Sequence, residues 1–240
     1  MTNRSLLVQL AAGFFLLGVT LLLCELSRID LWVQDKFYIS GAAGWVIGKH
    51  DELLRVFFYT GPKAALKILA GLALVAVIFS RKIPWVHNRK QGMLIVLLST
   101  VVTVTLVGLL KGATHVPCPS QLTLYDGSYP YSTFWAHLLS PEQAARARCF
   151  PAGHASGGFA LLSLAFLFRS RKNRWIGFGI GMALGWTLGV YKMAIGDHFL
   201  SHTLVTMCLA WIVSVLVAMA VFRLYGRLPA GTVANTLQSP

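Results

Sequence analysis

The sequence predicts an all-α, polytopic membrane protein with six transmembrane helices. The mean hydropathy of the chain is +0.65. Only 12% of its 240 residues are charged, whereas soluble domains carry about 25%. The apolar residues fall into six runs, most of them near the roughly 20 residues that a membrane-spanning helix needs. These runs are 6–26, 56–80, 92–110, 155–168, 175–194 and 203–222.

The flanking residues define where these helices begin and end. The first run is long and is followed by acidic residues, which is typical of a retained span and not of a cleaved signal peptide. Gly61-Pro62 predicts a bent or interfacial beginning for the second. The fourth is short, so its helix is expected to begin near Gly153. We predict one domain, 1–225, followed by a disordered tail, 226–240.

The connection between spans three and four is predicted to hold short helices over the membrane surface. Ser140 followed by Pro141 is a favourable helix start, because proline fits the first helical position.

The basic residues predict the orientation of the chain. They concentrate in two short loops, 81–90 and 169–174, which fall on the same side as both termini. The positive-inside rule makes that side cytoplasmic, so the long loops 27–55 and 111–151 face outward. The net charge of +13 is split into clusters between apolar runs. We therefore expect anionic lipid, and no nucleic acid, as a partner.

Three polar clusters lie at the outward ends of spans, at 111–119, 149–157 and 191–202. Lys111 and Lys192 are point cations suited to phosphate. Gly153 opens a helix whose backbone N–H groups can bind an anion. His154 and His198 can divide the roles of general acid and nucleophile. These groups can stabilise a developing negative charge without a metal or another cofactor.

Together the clusters resemble the three motifs of the type-2 phosphatidic acid phosphatase superfamily, K-x6-R-P, P-S-G-H and S-R-x5-H-x3-D. The chain has Lys111-x6-Cys118-Pro119, then Pro151-Ala152-Gly153-His154, and then Gly189-Val190-Tyr191-Lys192-x5-His198-x3-His202. Their order, spacing and membrane position match the integral-membrane branch over about 111–220.

The resemblance implies a role for each matching residue. His198 corresponds to the nucleophile, His154 to the general acid and Lys111 to a phosphate ligand. Lys192 stands where the family has arginine, so it keeps the charge and loses the bidentate fork. His202 replaces the aspartate that orients the nucleophile; a neutral imidazole can accept the same hydrogen bond but stabilises an imidazolium less.

The cation of the first motif is missing, because Cys118 replaces arginine. Arg148 is the favoured substitute, ahead of His115 and Arg146, since it lies three residues before Pro151. Cys118 and Cys149 lie in the same outward loop, where an oxidising compartment favours a disulfide. Such a bond would tie the first motif to the second.

The resemblance implies a phosphatase that hydrolyses a phosphate ester or anhydride on a lipid through a phosphohistidine intermediate. The expected location is the bacterial inner membrane, with the active site facing the periplasm. The candidate substrates are phospholipids, polyprenyl diphosphate and lipid A. A lipid phosphotransferase and a non-catalytic relative of the family are the alternatives. Lys63 and Lys67 are interpreted as snorkelling anchors in preference to ligands of a second phosphate.

Overall fold

Helical segments coincide with all six apolar runs in this computed structural model. It describes residues 2–39, 44–49, 51–139 and 147–226. The α-helices are α1 (Asn3–Leu26), α2 (Ile29–Gln34), α3 (Glu52–Arg55), α4 (Gly61–Ile78), α5 (Pro84–His87), α6 (Lys90–Thr114), α7 (Phe134–Leu139), α8 (Gly153–Ala160), α9 (Arg171–Ala194) and α10 (Leu200–Tyr225).

Shorter elements join these helices. A π-helical turn, Val56–Thr60, connects α3 to α4, where the sequence predicted a bend. Further 3₁₀ turns cover Ser80–Lys82, Pro119–Gln121, Thr123–Tyr125 and Leu161–Phe166. Strands β1 (Tyr38–Ile39) and β2 (Gly44–Trp45) pair antiparallel in the first outward loop.

Four of the described helical segments are long and apolar enough to cross a membrane. They are Asn3–Leu26, Glu52–Ile78, Lys90–Gln121 and Leu200–Tyr225. The structure therefore agrees with a mostly helical membrane protein, while the six-span topology stays a prediction. The predicted helix start at Ser140 and the tail beyond Gly226 lie outside the described residues.

The centre of the bundle is α8, which packs against α6, α9 and α10, while α1 packs along α10. Ala155 and Phe159 of α8 are fully buried. Glycines let α9 pack closely against the 3₁₀ segment that follows α8: a Cβ atom on Gly181 would lie 2.7 Å from the carbonyl carbon of Leu161. Small residues commonly permit such backbone contact between membrane helices. By contrast, α4 packs mainly on α6 and leaves large apolar side chains exposed.

Two ends of the bundle can be distinguished. At the "motif end", α1 and α6 end, α8 begins, and a turn joins α9 to α10. At the "basic end", the basic loops 81–90 and 169–174 join the helices, and Gln91 donates a hydrogen bond of 3.0 Å to the carbonyl of Tyr225.

The described parts of loops 27–55 and 111–151 fold over the motif end and are hydrogen-bonded to the α9–α10 turn and the start of α10. The Asp30 carboxylate accepts a 2.8 Å hydrogen bond from the Ser201 N–H and so caps the start of α10. Gln34 donates to the carbonyl of Met193 at 2.9 Å. Gly196 has φ +74°, and Trp45 occupies the space that a side chain would need. Glycine is therefore required in this turn.

The predicted disulfide between Cys118 and Cys149 is present in the structure, with Cα atoms 5.2 Å apart. The Cys149 N–H also donates to the carbonyl of Val116 at 2.9 Å. The Thr114 hydroxyl donates to the carbonyl of Phe150 at 2.6 Å. These contacts join the segment after α6 to the segment before α8, as expected for a bond that ties the first motif to the second.

Candidate active site

The structure brings residues of all three motifs together at the motif end. Lys111 reaches the beginning of α8, where a Cβ atom on Gly153 would lie 3.7 Å from its Nζ. Lys192 and His198 come from the end of α9 and the turn after it. His198 interacts electrostatically with Lys111, His154 and Lys192. The site is therefore rich in cations and imidazoles.

His198 is a neutral imidazole in a closed environment. Its side chain is only 2% exposed. Burial lowers the pKa of His198 well below the ordinary value of 6.5, and the neighbouring His202 and Lys111 lower this pKa further. The Nδ1 atoms of His198 and His202 lie 3.5 Å apart, at the long limit of a hydrogen bond. The two imidazoles are therefore neighbours, and the orienting role of His202 stays a prediction.

His202 lies in the first turn of α10, and its surroundings fix both its ring and the beginning of α8. The Phe150 and Phe199 rings stand nearly perpendicular to the His202 ring, with centroids 5.2 and 5.4 Å away. The carbonyl of His202 accepts hydrogen bonds from the Ala152 N–H at 3.2 Å and from the Thr206 hydroxyl at 2.8 Å. The segment Ala152-Gly153-His154 is therefore fixed relative to His202.

His154 packs against Tyr59, a residue that the sequence reasoning did not identify. Their ring centroids are 4.3 Å apart, and Lys192 Nζ lies 4.7 Å from the centre of the same Tyr59 ring. Tyr59 belongs to the π-helical turn before α4, and such turns are often found at functional sites. The only sequence signal was the bend predicted at Gly61-Pro62.

Asp197 connects two lysines. Its carboxylate lies 2.7 Å from Lys192 Nζ and 3.0 Å from Lys49 Nζ. Burial acts to raise the pKa of Asp197, but the hydrogen bond and charge of Lys192, followed by those of Lys49, outweigh it and hold this pKa below its usual value. Asp197 is therefore ionised at neutral pH. Asp197 lies in the turn after α9 and not in a helix, so helical periodicity in the sequence could not predict that its side chain faces Lys192.

Lys49 is the second residue that the motifs missed. It lies in the first outward loop and also donates a 2.9 Å hydrogen bond to the Ser120 hydroxyl, next to the first motif. Arg148, the cation predicted to replace the lost arginine, is exposed between buried Ala147 and Cys149. Its role stays a prediction, and Arg146 lies outside the described residues. Lys49 is the cation that the fold brings to Asp197.

A groove of about 510 Å³ leads from this site to the side of the bundle. Gly153 and His154 line one end of it, and Val101 of α6 lies along its wall. Lys63 and Lys67 also line it, so these lysines face a cavity as well as the surroundings of α4. Its volume lies within the 300–1,000 Å³ typical of small-molecule sites. An elongated apolar ligand could therefore reach His154 from the side.

The donor set of the site suits an anion better than a metal ion. It combines ammonium groups, imidazoles and backbone N–H groups at the start of α8. Within the described ranges, no group of three or more His, Cys, Asp or Glu side chains is arranged to hold a metal.

The lowered pKa of His198 predicts a pH-dependent stability. Below about pH 6.5 the unfolded chain takes up a proton at this imidazole and the folded protein does not, so folding stability is full above 6.5 and falls as the pH decreases. His198→Gln should reduce this slope by up to about 1.4 kcal/mol per pH unit. Thermal unfolding in detergent between about pH 7.5 and 5 measures it. The exposed His87→Gln is the matched control, and equal slopes in all three proteins would contradict the assignment.

A family model of the PAP2 superfamily matches residues 92–225, which is more than half of the 240-residue chain. No curated protein and no solved structure matches the chain significantly. The matched segment runs from α6 to the end of α10 and contains all three motifs. The chain therefore belongs to the PAP2 superfamily, the type-2 phosphatidic acid phosphatases.

Proposed function

We propose that this protein is a membrane phosphatase that hydrolyses a phosphate ester or anhydride on a lipid, with His198 as the nucleophile. Family membership supports phosphatase-type chemistry. The observation that supports a lipid as the substrate is the lateral groove that ends at Gly153 and His154. A lipid tail would lie in this groove while its phosphate meets the cations beside His198.

In the first step, the Nε2 lone pair of His198 attacks phosphorus. This step requires the His198 tautomer whose Nδ1–H points to Nδ1 of His202, 3.5 Å away, because that tautomer leaves Nε2 deprotonated. The bond between phosphorus and the leaving oxygen breaks, and His154 gives that oxygen a proton. The charge of the bound phosphate favours the protonated form of His154. The product of this step is a phosphohistidine.

The developing charge on phosphate is stabilised by groups from three segments. In the proposed complex, the phosphate is bound by Lys111, by Lys192 and by the N–H groups at the start of α8, and the proximity of Lys111 to Gly153 supports this arrangement. In the free protein, the Asp197 carboxylate forms ion pairs with Lys192 and Lys49. Phosphate oxygens exchange with this carboxylate, so Lys49 supplies a cation that the first motif lacks at Cys118.

In the second step, water attacks the phosphohistidine. His154 accepts a proton from that water, the bond from phosphorus to Nε2 breaks, and inorganic phosphate leaves. A lipid hydroxyl or phosphate in the place of water would make the protein a phosphotransferase. The replacement of aspartate by His202 leaves a non-catalytic relative as the remaining alternative.

The proposed location is the bacterial inner membrane, with six spans and the motif end in the periplasm. The basic loops at the opposite end support this orientation through the positive-inside rule. The disulfide between Cys118 and Cys149 fits an oxidising compartment.

Phosphate release from a panel of purified lipids tests the function directly. The panel contains phosphatidic acid, phosphatidylglycerol phosphate, a polyprenyl diphosphate and lipid A. His198→Ala should abolish release, because it removes the nucleophile, while His87→Ala should behave as the wild type. Thin-layer chromatography of a labelled donor with an added acceptor lipid separates hydrolysis from transfer. A folded wild type that acts on no lipid, or an active His198→Ala, would overturn the proposal.

Lys49→Gln tests the missing cation. Because a hydrogen bond to a charged group contributes roughly 1.5–3 kcal/mol, kcat/KM should fall about tenfold or more. Lys36→Gln removes a lysine from the same outward loop and should leave kcat/KM unchanged. If Lys49→Gln keeps wild-type kcat/KM, Lys49 does not bind the substrate phosphate.

Val101→Trp tests the groove. Val101 lines it and Val102 does not, although both are exposed residues of α6. A tryptophan at 101 should raise KM for a long-chain lipid phosphate and spare a short, water-soluble phosphate ester. Val102→Trp should change neither value. Equal effects of Val101→Trp on both substrates would show that the tail does not use this groove.

A further inference from the structure

The charges of the described residues are divided unevenly between the two ends of the bundle. Every described carboxylate lies in segments at the motif end, and the list is Glu25, Asp30, Asp35, Asp51, Glu52, Asp126 and Asp197. The remaining acidic residue, Glu142, is outside the described residues. The arginines of the basic end therefore have no described carboxylate near them, and an anion that balances them would come from outside the described chain.

Three of these arginines line one cavity. It has a volume of about 550 Å³ and lies at the basic end, between α1, α9 and α10. Arg169, Arg171 and Arg174 line it together with Trp175 and Trp211. Guanidinium groups are well suited to phosphate, because their N–H donors form a planar fork.

Backbone contacts hold two of the arginines in position. Arg174 Nε donates to the carbonyl of Ala165 at 3.1 Å, and an Arg169 Nη donates to the carbonyl of Asn88 at 3.2 Å. Each guanidinium carries five N–H donors, so one such bond orients the group without using all of them.

An apolar groove continues from the arginine cavity. This second groove has a volume of about 280 Å³ and shares Phe178 and Trp211 with the cavity. Ala12 and Leu16 of α1 and Met182 of α9 form its sides. A site with cations at one end and an apolar groove at the other is complementary to an anionic head attached to an acyl chain.

We propose that the arginine cavity and this groove bind one anionic phospholipid of the bilayer. Its phosphate contacts Arg169 and Arg171, and one acyl chain lies between α1, α9 and α10. This site is separated from His198 by most of the length of α9, roughly 30 Å at 1.5 Å per residue. The bound lipid is therefore a structural ligand and not the substrate, and the inference does not depend on the catalytic proposal.

Lipid binding to the detergent-purified full chain tests the polar half of the site. Native mass spectrometry compares phosphatidylglycerol with phosphatidylcholine of the same acyl chains, and inorganic phosphate serves as the headgroup-only probe. Phosphatidylglycerol should bind about tenfold more tightly than phosphatidylcholine, and phosphate should not displace it. The double variant Arg169→Gln/Arg171→Gln should lose this tenfold preference, because it removes both guanidinium groups that contact the lipid phosphate.

The matched control is Arg81→Gln/Lys172→Gln, which removes two exposed cations from the same end without touching the cavity. It should keep the preference. An equal loss in both double variants would indicate a general basic surface, and no preference in the wild type would leave no site; either result overturns the proposal. Displacement of the lipid by inorganic phosphate would assign the cavity to a free anion and also overturn it.

Ala12→Phe tests the apolar half. Ala12 lines the groove and its neighbour Ala11 does not, and both are exposed on α1. A phenylalanine at 12 should fill the groove and weaken phosphatidylglycerol binding several-fold, because the acyl chain loses its packing contacts with α1 and α9. Ala11→Phe should bind like the wild type. Unchanged binding in Ala12→Phe would overturn the placement of the acyl chain.

Discussion

The hydrogen bonds of one backbone N–H group hold the candidate active site together. Ala152, just before α8, donates to the hydroxyl of Thr206 at 2.8 Å and to the carbonyl of His202 at 3.2 Å. Ala152 is fully buried, so leaving this donor unpaired would cost about 1–3 kcal/mol. Because His154 follows on α8 and His198 precedes α10, these two hydrogen bonds directly connect the segments that carry the two imidazoles.

The candidate active site also contains buried or half-buried lysines that need a negatively charged partner. Lys192 is only 6% exposed, and an unpaired ammonium at such a position is costly. Asp197 satisfies it in the free protein and reaches Lys49 as well. A phosphate that replaced this carboxylate would keep both lysines paired. Substrate binding in the proposed mechanism is thus an exchange of anions, which avoids exposing a buried charge.

The two ends of the molecule solve the problem of positive charge differently. At the motif end, Asp197 of the α9–α10 turn pairs with two lysines, and Asp30 of the segment after α1 caps α10. At the basic end, the described chain offers arginines around a cavity and no carboxylate. The proposed substrate and the proposed structural lipid therefore occupy opposite ends, and each combines a phosphate with an apolar groove.

The sequence by itself determined the membrane class, the six helical segments, the family and the disulfide. Hydropathy along the chain predicts which segments are long and apolar enough to cross a bilayer, and the spacing of a motif is a local property of the sequence. Only the tertiary structure decided that Tyr59 packs on His154 and that Lys49 meets Asp197. These contacts join segments that are distant along the chain, and one of them depends on a π-helical turn. The direction of Asp197 depends on a turn without helical periodicity, and both grooves exist only between helices, so no pattern along the chain could specify them.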